Sequence, residues 1–380
     1  MNLPGHAGAW VDLLGADPRP WINASAEAGA RLLLASPRPG QASAKLLTED
    51  RAAALADPGL LALIDGLADW EAECKAGGHN SPAFTPNILI QLWWMGLRGG
   101  DSPRVERLLD QMLNHQDEDG RFQTCGRWRG REEPSWGALL CDTHCITDVL
   151  VRYGRGSDDR TRRAIQCLIN DATSTAQGEG WGCRPDNVSG FRGPGRKADL
   201  CPQVTVEALR ILARCADDVD LAVRFPAAGA LADAAGATLA RLWLNRGTEK
   251  PYMFGHGRQF KRVKWPPMWY DVFAVLDALS MRPSLWMSAD PTGATRTAIC
   301  ELTACLVAYN TGSDGRVVPR SCYRGFEQYS WGQKKTASPL ATAMVCTVLS
   351  RLEGLVPQIA AVDVLQLGSS KGGTGRVMPP

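Results

Sequence analysis

At 380 residues the chain is long enough for one large domain or two ordinary ones, and 42 Lys and Arg nearly balance 40 Asp and Glu. That balance excludes a general electrostatic pull toward nucleic acid, so any basic function must come from local clusters. No run reaches the ~18 apolar residues of a membrane-spanning helix, and the start MNLPGHAGAWVDLL lacks the basic lead and apolar core of a secretory signal. A soluble cytoplasmic protein is the expectation.

In chain order, Pro-rich stretches (PRPW, SPRPG) precede GLLALIDGLADWEAE (59–73), which reads as part of the first outer elements rather than a separate domain. From there two kinds of segment alternate. One opens on a small, polar or Pro residue and is apolar around most of its circumference, the mark of a helix buried on several sides: TPNILIQLWWMGL (85–97), DTHCITDVLVRYG (142–154), DLCPQVTVEALRIL (199–212), YDVFAVLDALSM (270–281) and SPLATAMVCTVLSRL (338–352). The other is amphipathic: SPRVERLLDQMLNHQ (102–116), DRTRRAIQCLIND (159–171), AGALADAAGATLARLWL (228–244) and GATRTAICELTACLVAY (293–309). Three amphipathic segments run into an acidic-glycine turn, QDEDGRF (116–122), QGEGWGC (177–183) and NTGSDGRVV (310–318). Glycine there supplies a tight turn at little steric cost.

The unit is therefore outer helix, turn, loop, inner helix, recurring at roughly 55–70 residues, near or a little above the spacing of helical arrays. Alternation of buried and half-buried helices predicts an all-α fold of two concentric layers, and inner helices this apolar favour closure into a ring over an open solenoid. One domain over 1–367 and a flexible tail at 368–380 are expected.

Of the 12 cysteines, most are expected to be small core residues, and disulfides are the least expected use in a chain without a secretory signal. No C-x-x-C pair occurs, which removes a zinc ribbon. Tryptophan is over-used, 13 against 8 Phe and 6 Tyr. Its π-face can meet cations and line an apolar ligand site, or simply fill wide gaps between helices.

The turn QDEDGRF resembles the glutamine–aspartate–glycine–aromatic repeat of squalene–hopene cyclases, with Phe122 in the tryptophan position; QGEGWGC restores the tryptophan at Trp181. Degenerate copies span about residues 60–352. The resemblance is to the superfamily of terpene cyclases and protein prenyltransferase β-subunits. It implies an α/α toroid with a central apolar cavity and a site at the N-terminal ends of inner helices.

GRKADLCPQVTVEAL (195–209) is similar to the zinc-binding stretch of prenyltransferase β-subunits. By that resemblance Asp199 and Cys201 are the first two metal ligands, Arg196 and Lys197 contact a diphosphate, and Asp271 takes the place of the third ligand, a histidine in the family. An Asp, Cys, Asp set is poor for zinc, and His256 is a candidate to complete it. Asp271 also aligns with the last acid of the cyclase Asp-x-Asp-Asp motif, but Met268, Trp269 and Tyr270 stand where the supporting acids belong. No Asp-Asp-x-x-Asp motif is present. Asp271 and Asp199 also fit the ordinary role of helix caps.

On 142–154 and just before it, Cys141, His144 and Cys145 are spaced to share a helix face, and His144 is a further candidate zinc ligand. Three basic loops, GRWRGRE (126–132), FRGPGRK (191–197) and GRQFKRVK (257–264), can form a diphosphate rim that includes Arg258 and Lys261, or can be solvated surface.

The expectation is thus an enzyme that cyclises or transfers an isoprenoid-type substrate, with Asp271 and Asp199 catalytic and a metal held by Asp199, Cys201, Asp271 and His144. A prenyltransferase would need a second, helical-repeat subunit. The rivals are a non-catalytic toroid that binds or scaffolds, and a carbohydrate-active enzyme using carboxylates such as Asp142, Asp148 and Asp271.

Overall fold

Hydrophobic patterning and local caps lay down the longer helices, which run α1 (Ala28–Ala35), α2 (Ala44–Leu55), α3 (Pro58–Asp65), α4 (Thr85–Trp94), α5 (Pro103–Asn114), α6 (Leu140–Arg152), α7 (Asp159–Asn170), α8 (Pro202–Asp217), α9 (Ala228–Leu244), α10 (Val272–Ser280), α11 (Ala294–Asn310) and α12 (Pro339–Arg351). All nine segments read as helices from their periodicity are helical. The computed structural model describes residues 8–35, 44–71, 78–79, 81–126, 132–184, 200–246, 258–268, 270–287 and 292–367, with backbone alone at 44–48 and 258–259. The tail expected at 368–380 lies outside the described residues.

Helix starts have specific causes. Ser102, Asp158, Asp271 and Ser338 each turn a side-chain oxygen onto a first-turn N–H of α5, α7, α10 and α12, satisfying donors a helix leaves free. Proline opens α3, α4, α5, α8 and α12, where its missing N–H costs nothing. Among the described residues strand is confined to two-residue and three-residue pairs: β1 (Thr124–Gly126) with β2 (Ser135–Gly137), β3 (Thr173–Thr175) with β4 (Gly178–Gly180), and β5 (Lys264–Trp265) with β6 (Ser321–Cys322).

The acidic-glycine turns knit the layers together. Gln116 bridges Phe122 and Thr311 bridges Val317 across equivalent turns, with Gly120 and Gly315 at positive φ of 94° and 73°. The residue that follows each turn, Phe122 or Val317, is wholly buried, as is Trp181 after the third. Gln116 also donates to the Arg160 carbonyl of the next outer helix (2.7 Å), and Trp181 Nε1 to Leu168 O (2.8 Å). The first of these turns therefore ties one unit to the next, and the Trp181 turn anchors on its own outer helix.

The most buried helices succeed one another in space. α4 packs on α6, α6 on α8, α8 on α10, α10 on α12 and α12 on α1, from which α2 and α3 lead back to α4. α7, α9 and α11 pack outside this succession, α9 against α8 and α11 against α10. Among the described residues no single helix is long and apolar enough to cross a membrane.

The C-terminal halves of the buried helices are tied by charge. Asp148 of α6 accepts from Arg152 Nε (3.0 Å) and pairs with Arg210 (2.8 Å) and Arg214 (3.2 Å) of α8. Asp277 of α10 accepts from Arg351 of α12 (2.9 Å) and lies 3.8 Å from Arg152 Nη2. Trp93 of α4 has the guanidinium groups of Arg98, Arg152 and Arg214 within 4.4, 4.6 and 5.2 Å of its ring centre. Four arginines thus face two buried aspartates. The excess positive charge sits toward helix C-termini, where the backbone dipoles are negative. Burial alone would raise both carboxyls, but the surrounding guanidinium groups hold Asp148 and Asp277 below the usual range.

One expectation is corrected here. Cys125 is disulfide-bonded. The other described cysteines form no disulfide, and Cys141, Cys145, Cys215, Cys300, Cys305 and Cys346 are buried as expected of core residues.

Removing one carboxylate from the lattice strands buried guanidinium groups, so Asp148→Asn is expected to cost about 3–5 kcal/mol. Urea denaturation checks this; a loss under ~1 kcal/mol would show that Asp148 carries no such charge.

Candidate functional site at the helix N-termini

At the opposite end, the starts of α6 and α8 collect a different chemistry. Asp142, in the first turn of α6, is 1% exposed. Its Oδ1 accepts from the His79 backbone N–H (2.9 Å) and lies 2.6 Å from His79 Nδ1, while its Oδ2 accepts from Thr124 (2.8 Å). Burial disfavours charge on both partners, yet their mutual hydrogen bond wins: Asp142 is lowered and His79 raised from their ordinary values. A Cβ on Gly78 would stand 2.8 Å from Asp142 Oδ1, so glycine is what lets this loop close on the carboxylate.

Cys141 completes the group: the ligand-capable atoms of His79, Cys141 and Asp142 all lie within 4.8 Å of one another. Cys201, at the start of α8, is hydrogen-bonded with Cys183 and feels the charge of Cys141. For Cys201 the Cys183 contact, then burial, push the thiol well above its usual range; for Cys141 burial leads, with Asp142, Glu207 and Cys183 adding to it. Nitrogen, sulfur and oxygen are donor types that zinc takes, with bonds of about 2.0–2.3 Å, and the 2.6 Å hydrogen bond between His79 and Asp142 would have to open for both to reach one ion.

One turn deeper in α8 is Glu207, 2% exposed. One oxygen accepts from Gln203, and Oε2 has no hydrogen-bond partner. Burial, reinforced by Asp142 and opposed by His79 and Arg210, pushes its carboxyl up to about 8. Gln203 Oε1 and, on α4, Gln91 Nε2 are likewise buried without partners. Cys145 donates to Asn87 of α4 (3.5 Å) and is raised by burial and then by Glu207. Unpartnered polar atoms in an interior cost stability.

The residues singled out from sequence fall as follows. Asp199, Arg196, Lys197 and His256 lie outside the described residues, as does the side chain of Arg258. Cys201 joins the thiols beside His79, Cys141 and Asp142. Asp271 caps α10, Oδ1 accepting from Ala274 N (2.9 Å). It stands apart, among the backbone amides of Lys264, Phe273 and Ala274, where burial pushes it up to about 7. Lys261 donates to Leu367 O (3.0 Å) and lies 5.4 Å from the Tyr309 ring centre, so its ammonium already has partners.

Cys141, His144 and Cys145 share one helix face, within an arc of about 100°, but they meet different partners. Cys141 meets His79 and Asp142, Cys145 meets Asn87, and His144 packs edge-on to Trp181 with Nδ1 3.3 Å from Val204 O. Burial drops His144 to about 4, which keeps it neutral.

Sequence reasoning passed over His79, Cys183 and Glu207. His79 sits in a loop with no periodicity to flag it. Glu207 did carry a signal: an acid in the apolar first half of α8, four residues after Gln203.

Glu207 and Asp271 bind protons more tightly folded than unfolded. Their contribution is therefore fully present below the unfolded values near 4–4.5 and is lost as pH rises through about 8 and about 7. In chelator-treated protein, Glu207→Gln is expected to melt above wild type at pH ~9 and close to it at pH ~5. Parallel melting curves across that range would contradict the raised carboxyl. Set against family models, curated proteins and solved structures, the chain matches none.

Proposed function

We propose that the chain is a closed α/α toroid enzyme that transfers an isoprenoid-type group, with its chemistry at the N-terminal ends of α6 and α8. Two features support the ring: the helix succession from α4 round to α12, α1 and back, and the Gln116 turn that ties one unit to the next. The observation that carries the chemistry is the buried Glu207, with one oxygen that has no hydrogen-bond partner and a carboxyl that burial raises and that feels the charges of His79 and Asp142.

Of the two chemistries implied by the resemblance, transfer suits these residues better than cyclisation. A carboxyl titrating at about 8 is too weak to protonate an alkene. It is well matched to an oxygen that titrates near neutrality, such as the leaving oxygen of a prenyl diphosphate. In that step the carbon–oxygen bond breaks with its electron pair going to the diphosphate, Glu207 hands its proton to that oxygen, and the acceptor, entering as a thiolate whose proton has gone to solvent, bonds to the freed carbon. A zinc ion held by His79, Cys141 and Asp142, with Cys201 adjacent, would lower the pKa of an acceptor thiol.

The test is turnover of short and long prenyl diphosphates by zinc-loaded protein with a small thiol acceptor. Diphosphate release is expected, reduced about 100-fold or more in Glu207→Gln, and one zinc per chain is expected to fall away in His79→Ala/Cys141→Ser. Zinc-loaded protein that consumes none of these substrates, or a Glu207→Gln variant as active as wild type, would overturn the reading.

A further inference from the structure

A cavity lies at the seam where the first helices meet the last, far along the chain from Glu207. It encloses about 210 Å³ between the starts of α1, α3 and α12 and the end of α4. That is smaller than the 300–1,000 Å³ or so of sites for drug-sized molecules, so its occupant is small. The floor is apolar and buried, including Ala30, Ala54, Leu60 and Leu340, and Tyr329 and Trp331 form an aromatic wall. Those two rings stack on each other 4.6 Å apart, which fixes the wall.

The charges are one-sided. Glu27 and Asp57 both line the cavity, and among the described residues that line it there is no lysine or arginine. Each acid already has a structural job: Glu27 Oε2 accepts from the Leu340 N–H that opens α12 (3.1 Å), and Asp57 Oδ1 caps α3 through Leu60 N (2.9 Å). These bonds hold the carboxylates in place without neutralising them. Burial raises Glu27, and the nearby charge of Asp57 adds to it. Two half-buried carboxylates beside an aromatic wall and an apolar floor are complementary to a positive charge that carries its own hydrocarbon.

We propose that this cavity binds a small organic ammonium ion, methylated or choline-like, with its nitrogen between Glu27 and Asp57 and its alkyl groups on Leu60, Trp331 and Leu340. A bound ion would tie α1 and α3 to α12 and so join the two ends of the chain. The proposal is independent of the chemistry at Glu207.

Calorimetry and thermal melts with choline chloride test it, against sodium chloride at equal ionic strength and against dimethylbutanol, the neutral carbon isostere of choline. Saturable choline binding with a raised melting temperature is expected, with at least tenfold weaker binding of the alcohol. Glu27→Gln and Asp57→Asn keep an acceptor oxygen for each cap, so the fold is expected to survive while choline affinity falls about tenfold or more in each. Sedimentation with phosphatidylcholine vesicles separates the two sources of this chemistry: binding of free choline alone assigns a free ion, and co-sedimentation lost in Glu27→Gln assigns a headgroup. No saturable choline binding, equal binding of the alcohol, or unchanged affinity in both amide variants would overturn the proposal. The wild-type comparison decides even if a variant fails to fold.

Discussion

The ion lattice around Asp148 and Asp277 is the constraint on which the rest of the architecture depends. Buried charges are tolerated only when paired and hydrogen-bonded, so Arg152, Arg210, Arg214 and Arg351 must meet those two carboxylates in a narrow set of geometries. Apolar packing alone would let α6, α8, α10 and α12 slide or rotate against one another at small cost. The lattice removes that freedom, and Trp93 extends the constraint to α4 by presenting its ring to three guanidinium groups. It also polarises the bundle: cations gather where helix dipoles are negative, and the opposite ends of the same helices are left for other groups.

That polarity explains why the chemistry-bearing residues sit where they do. With α6 and α8 fixed in register, Cys141 and Cys201 reach the same end of the interior, and the loop carrying Gly78 and His79 closes over Asp142. The site is held in a state of electrostatic incompleteness. Its thiols are raised, its glutamate is neutral near pH 7, and amide groups on α4 and α8 lack partners. Each departure costs stability that a simple core would not forgo. The compensation comes from a large apolar interior in which Trp181, Trp243, Trp265 and Trp331 are essentially inaccessible. Much of the tryptophan excess is therefore wide-gap packing.

The helices and their alternation were legible from sequence because a buried helix and an amphipathic one differ in periodicity, whatever their partners. The turn motif was legible for a similar reason: QDEDGRF and NTGSDGRVV carry their own local geometry, and Gly120 and Gly315 adopt the positive φ that the motif requires. Asp271 was correctly seen as a helix start. What stayed hidden depends on long-range pairing. Asp148, Arg214 and Asp277 lie in plain view on apolar helices, but nothing local says that an aspartate will meet an arginine 66 residues away. His79 is the sharper case, since its role comes from a carboxylate 63 residues later. The trio of Cys141, His144 and Cys145 shows the limit of spacing arguments: a shared face does not give shared partners.

If His79, Cys141 and Asp142 hold a metal ion near Glu207, as proposed, that ion sits at the N-terminal end of the bundle. Diffraction data collected on either side of the zinc absorption edge, from crystals of protein purified without added metal, test this most directly. An anomalous peak within bonding distance of His79, Cys141 and Asp142 is the predicted result. Zinc located elsewhere on the chain, or no peak in crystals grown with zinc present, would contradict it.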